Sequence, residues 1–287
     1  MSNAQAKPSG GDAYKGIPGQ SWFDAYSIRA HWAPVLAVGA PAVFALGIAV
    51  PALHGLKGLL VGVLTVGLAP MLGGFARDMG KRRETELWRS WGGGPTTQFL
   101  RHRDSTIGEQ TKVRYFRFLA SAAGIIRPTA TEEAADPTSA DATYESAGAW
   151  LRRYVRATCP NPLANEKLAA YGFARNLLGL KPIGLSLSLT MAALIAFLAL
   201  RELGRGGDNI EPLVIALAVN LAMAALWTFW VAPDRVRMAA EAYAKALLES
   251  CEDMPPAQRD GTGPSSTTST AQHDKATDMP SLASGKA

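Results

Sequence analysis

Apolar positions along this chain gather into four blocks. Trp32 to Leu53 holds no charged residue, Leu56 to Phe75 holds only Lys57 at its edge, and Ile183 to Leu200 and Pro212 to Val231 hold none. The hydrocarbon core of a bilayer needs roughly 20 apolar residues per helix, so each block is long enough to cross it. A short turn around His54 and Gly55 joins the first pair, and the polar stretch Arg201 to Glu211 joins the second. The pattern predicts an all-α, polytopic membrane protein with four transmembrane helices in two hairpins, about 32–53 with 56–75 and 183–200 with 212–231.

Between the hairpins the apolar period changes to that of amphipathic helices, and no run alternates in the manner of a strand. Arg77 to Ser90 reads as a continuation of the second span, stopped by Gly92, Gly93 and Gly94. Pro95 and Thr96 open a short helix. Glu109 to Ala123 carries a stripe of Val113, Phe116, Leu119 and Ala120, with Lys112 on the polar side. Pro128 to Ala140 reads as a loop. A helix from Asp141 to Thr158 shows Ala147, Trp150, Leu151 and Tyr154 on one face and Arg152, Arg153 and Arg156 on the other. Another, Pro162 to Leu178, ends at Gly179 before Lys181 and Pro182 enter the third span. Residues 77–181 therefore read as a small helical domain.

The flanks complete the organisation. Residues 1–20 are rich in Gly, Ser, Pro and Ala and read as a disordered tail. Ser21 to Trp32 mixes aromatics with charges, as an interfacial helix does, so 21–76 forms this helix plus the first hairpin. After the second hairpin, 182–232, a helix over 233–251 carries Val236, Ala240, Tyr243 and Leu247. That stripe is too short for a coiled coil and reads as docking on the middle domain. Residues 252–287 read as a second disordered tail. The first apolar block is preceded by about thirty polar residues and exceeds a signal-peptide core, so it reads as a retained anchor.

Charge supplies orientation. From Ala76 to Lys181 there are 17 Lys and Arg against 11 Asp and Glu, and 17 − 11 leaves +6, whereas Arg201 to Glu211 has two basic and three acidic residues, net −1. Basic residues flanking spans face the cytoplasm. Both termini and the middle domain are thus expected in the cytoplasm, at a bacterial inner membrane. Arg77, Lys81, Arg82 and Arg83 stand where anionic lipid headgroups contribute on the order of 1 kcal/mol per charge. This accounts for the pI of about 9.3 without nucleic acid as a partner.

Composition adds exclusions. The overall 48% apolar content is ordinary because polar segments dilute the spans. Cys159 and Cys251 are the only cysteines and the four histidines are scattered, so neither a disulfide framework nor a metal centre is expected. No cofactor is expected either.

Candidate chemistry is sparse. His102-Arg103-Asp104 matches three letters of the kinase catalytic loop, but Glu109 stands where a metal-binding Asn belongs and no companion motif follows. Gly92-Gly93-Gly94-Pro95-Thr96, with Arg101 and Arg103, is a candidate phosphate or ligand contact, since consecutive glycine amides can cradle an anion. It lacks the Gly-Lys-Ser/Thr ending of a Walker loop. Inside the spans, Ser186, Thr190 and Asn220 are a candidate polar path. Small-xxx-small spacings at Gly58 and Gly62, at Ala192 and Ala196, and at Ala218 and Ala222 with Ala225, are candidate helix-packing faces.

These features direct the expected function away from catalysis. The first expectation is an oligomeric, channel-like membrane effector controlled through its cytoplasmic helical domain by a cytosolic protein or nucleotide. A scaffold recruiting cytosolic partners or anionic lipids comes second, and an enzyme on a lipid or nucleotide third.

Overall fold

The computed structural model describes residues 28–49, 69–158 and 161–253. Every regular element among them is helical. A π-helical turn, Ile28–Trp32, leads into α1, Ala33–Ala49. Next come α2, Ala69–Trp91; α3, Pro95–Leu100; α4, Glu109–Ala123; α5, Ala130–Ala135; and α6, Pro137–Thr158. The chain then forms α7, Pro162–Leu203; α8, Ile210–Ala225, extended by a π-helical turn, Leu226–Trp230; and α9, Pro233–Asp253.

Three segments are long and apolar enough to cross a membrane: Arg29–Ile48, a stretch within Pro162–Leu203, and Ile210–Trp230. This fits a membrane protein. Most of the second expected span, with the turn at His54 and Gly55 and the pair Gly58 and Gly62, lies outside the described residues, as do residues 1–20, Cys159 and all of the expected tail 252–287 but its first two residues, which continue the last helix. The end of that span is described, and it is continuous with the basic helix α2.

The element that organises the molecule is α7. Its 42 residues give a rod of about 63 Å at 1.5 Å per residue, and it packs against α1, α2, α8 and α9. The expected break near Gly179 and Pro182 does not occur: both lie inside the helix. Gly179 serves packing instead. A Cβ there would come 2.6 Å from the backbone nitrogen of Gly80 on α2, so only glycine permits this crossing. Pro182 continues the same helix without a break. One residue earlier, Lys181 swings its Nζ to the carbonyls of Thr228 and Val231, at 3.1 and 2.8 Å, and closes the C-terminal end of the α8 rod.

The apolar segments of α1, α7 and α8 form a three-helix bundle. Ala45, Ile195, Ala199, Leu213 and Ala216 make one core, and Trp227 sits against Gly184 at the other end. The buried face of α8 is Leu213, Ala216, Asn220, Ala224 and Trp227. Ala218, Ala222 and Ala225 are exposed on the outward side of α8. On α7, Ala192 is buried and Ala196 partly so.

The polar domain is built from α3, α4, α5, α6 and the end of α9 around Phe99, Leu100, Phe116, Leu119, Tyr144, Leu151 and Leu247. The phase of α4 differs from the expected stripe. Lys112 is fully buried while Val113 is exposed, because the Lys112 ammonium donates to the carbonyls of Arg101 and Asp104 in the turn after α3. Burial pulls its pKa below the usual lysine value. The segment expected as a loop contains α5, started by a capping box in which Thr129 and Glu132 satisfy each other's backbone amides. Cys251 is buried in the same core, and burial raises its thiol to about 12.

Candidate functional site

A cleft of about 430 Å³ opens between the polar domain and the upper part of α7. Its construction starts with the glycines after α2. Gly92 and Gly93 adopt φ of +80° and +126°, conformations that favour glycine, and reverse the chain so that α3 folds back on Trp88. Gln98 Nε2 holds the reversal by donating to the carbonyls of Trp91 and Gly93, at 2.9 and 2.6 Å. The face of α6 that follows is kept close by Gly148, against which Thr96 packs.

Five elements supply the walls. From α6 come Glu145, Ala149, Arg152 and Arg156, spaced so that they share one helical face. Opposite them stand Trp88 of α2, Tyr171 of α7 and Tyr243 of α9. The rings of Tyr171 and Tyr243 are parallel, 6° apart in tilt with centroids at 6.3 Å. Beneath, Arg175 is fixed by Glu84 at 2.6 Å and by the Asn176 carboxamide, and its guanidinium lies over the Tyr171 ring. Asn176 in turn donates to the Ala30 carbonyl at 2.8 Å, linking the cleft floor to the entry of α1.

The charges divide into committed and uncommitted groups. Arg175 and Glu84 neutralise each other. Among the described residues, Arg152, Arg156 and Glu145 have no ion pair or hydrogen bond. The Tyr171 hydroxyl is buried beside Glu84 and Trp88 without a well-formed hydrogen bond, and burial raises its pKa. An uncommitted guanidinium pair beside an aromatic wall suits an anion that also carries a flat ring.

The glycine-rich candidate is organised differently from an anion cradle. The Arg101 side chain donates to the Gly92 carbonyl at 2.7 Å and grips Asp141 with two bonds of 2.7 Å, so its charge is already paired. The Gly93 amide donates to Trp88 O. Arg103 is half exposed and lies 4.0 and 3.9 Å from Glu133 and Asp141. Gly92, Gly93, Arg101 and Arg103 thus form a structural clamp; Gly94 and Thr96 line the cleft. His102 Nε2 donates to the Pro128 carbonyl, 2.9 Å away.

Arg77, Lys81 and Arg82 are exposed on α2, and Arg83 pairs with Glu86 at 2.8 Å. The intramembrane candidates are not brought together on one surface: Ser186 and Thr190 are exposed on α7, whereas Asn220 is fully buried. Asn220 Nδ2 donates to Ala216 O at 2.9 Å and its Oδ1 has no partner. The buried hydroxyl on that side of α7 is Ser188, bonded to Gly184 O at 2.8 Å.

Among the described residues no group of His, Cys, Asp and Glu is placed to hold a metal ion. Compared with known proteins, the chain matches no family model, no curated protein and no solved structure. The cleft itself escapes a sequence reading because its walls come from five separated segments. The one signal present is the face shared by Glu145, Ala149, Arg152 and Arg156, polar where the opposite face of the same helix is core.

Proposed function

We propose that this chain is a non-enzymatic integral membrane protein of a bacterial inner membrane, an oligomeric, channel-like effector controlled through its polar domain. The observation that carries this reading is the continuity of α7. Leu168, Tyr171 and Arg175 line the cleft, while Ser188, Ala192 and Ile195 of the same helix are buried in the membrane bundle. A ligand that shifts the cleft wall would tilt or slide one rigid rod inside the bundle, a displacement that packed helices transmit without deforming. The basic residues beside the bundle support a cytoplasmic position for the polar domain. The outward small-residue face of α8 suits close approach by another subunit.

The test is the mass of the protein in nanodiscs by multi-angle light scattering, followed by ion flux from liposomes. An oligomer large enough to enclose a lumen, with flux above that of empty vesicles, supports the reading. A monomer without flux overturns it.

The exposed Arg77, Lys81 and Arg82 favour a second reading, a scaffold on anionic lipid. It requires partners that vanish when residues 77–181 are deleted, and no conductance.

A further inference from the structure

We infer that the cleft between α6 and α7 is a binding site for a nucleotide, with the phosphate on Arg152 and Arg156 and the base against Trp88, Tyr171 and Tyr243. This rests on the preceding reading of the cleft as the place where the protein receives a ligand, and adds the chemical class of that ligand.

Three features converge. First, Arg152 and Arg156 stand one turn apart on the cleft face of α6, without a carboxylate partner among the described residues. Two guanidinium groups so placed present several donors to one phosphate, and Arg is suited to this by its planar fork. Second, the opposite wall is aromatic, and flat rings stack on such surfaces. Third, Glu145 lies on the Arg face, about two turns from Arg152 and three from Arg156, and is itself unpaired. A lone carboxylate beside an anion site would repel a bare phosphate but accepts hydrogen bonds from ribose hydroxyls.

The volume agrees. About 430 Å³ is within the range of small-molecule pockets, and a mononucleotide fills such a space. A lipid headgroup fits less well, because Tyr171 lies about 18 Å along α7 from Ile183, where the apolar segment begins. An acidic peptide would use the arginines but not the aromatic wall and the lone carboxylate.

The experiment is calorimetric titration of the full chain in nanodiscs with purine and pyrimidine nucleoside monophosphates, the corresponding nucleosides, and inorganic phosphate. At least one nucleotide is expected to bind, with nucleoside and inorganic phosphate each weaker by about tenfold or more. Arg152→Ala with Arg156→Ala should abolish nucleotide binding and leave any weak nucleoside binding. Arg153→Ala, an exposed neighbour outside the cleft, should leave affinity unchanged, and circular dichroism of all variants guards against misfolding. Absence of binding by every nucleotide overturns the inference; so does equal affinity for inorganic phosphate, or full binding by the double arginine variant. Binding is read without flux, so nucleotide binding with no conductance sinks the effector reading alone. Conductance without nucleotide binding sinks this inference alone.

Discussion

Gly179 of α7 and Gly80 of α2 meet backbone to backbone. A Cβ on Gly179 would lie 2.6 Å from Gly80 N, and one on Gly80 would lie 2.9 Å from Asn176 Cα. The atoms nearest a Cβ on Gly179 are all backbone, and behind the Asn176 carboxamide the Asn176 backbone bars one on Gly80, so neither helix can yield without shifting a backbone. The crossing also sets the height at which Glu84 meets Arg175, and hence the floor of the cleft. Gly179→Ala is expected to destabilise the protein by about 1–3 kcal/mol through overpacking, despite the better helix propensity of alanine. Thermal unfolding in detergent measures it. Gly74→Ala, with open space at its Cβ, is the internal control and should be neutral or slightly stabilising.

The Arg175–Glu84 pair joins the same helices, with only 11% and 16% of the two side chains exposed. Removing one partner leaves a charge buried in a site that no longer compensates it. Glu84→Gln should therefore cost about 3 kcal/mol, and Glu84→Leu with Arg175→Met should recover much of that loss. Chemical unfolding of Glu84→Leu, Arg175→Met and the double variant, beside Glu84→Gln, tests this, and additive losses in the cycle would refute it.

Glu133 makes the polar domain sensitive to acid. Burial raises its pKa, but hydrogen bonds from the His102 amide, the Tyr144 hydroxyl and the Arg103 amide outweigh burial and hold it below the usual carboxylate value. The folded pKa is below the unfolded 4.5, so the folded protein binds this proton less tightly. Its stabilisation is complete above pH 4.5 and is lost as pH falls through the folded value. Glu133→Gln should lower stability by about 1–3 kcal/mol at neutral pH, and the gap from wild type should narrow in acid. Urea unfolding across pH 3 to 7 checks the sign.

The legibility of this molecule in its sequence follows the scale of the physics. Bilayer-length apolar segments announce α1, the lower part of α7 and α8, because a charge-free run of that length has few other stable places. Local punctuation was readable where its cause is local, as at Gly92 and Gly93. It misled where a residue serves a distant neighbour: Gly179 reads as a helix end but exists for Gly80. Lys112 reads as a solvated charge, yet two carbonyls from the turn after α3 converge on it. The same holds for the sites. Arg101 next to glycines suggests an anion cradle, but Asp141, forty positions later, takes its charge. The cleft pairs α6 with Trp88, Tyr171 and Tyr243, none of which is near it in the chain.

Asn220 separates a packing role from a conducting one. It is fully buried in the bundle, with Nδ2 satisfied by Ala216 O and Oδ1 unpaired. An unpaired acceptor in an apolar interior costs free energy, and a leucine of similar size removes the amide and its unmet need together. Its Nδ2 bond is to its own helix, so no other helix loses a partner. In a bundle where Asn220 only packs, Asn220→Leu should be neutral or raise the unfolding temperature and leave ion flux unchanged. In an effector whose opening hydrates this level of the bundle, the same variant should stabilise the closed state and lower flux by about tenfold, the effect of roughly 1.4 kcal/mol on the opening equilibrium. Measuring unfolding temperature and liposome flux on one preparation distinguishes them: stabilisation with undiminished flux would remove Asn220 from any conducting path.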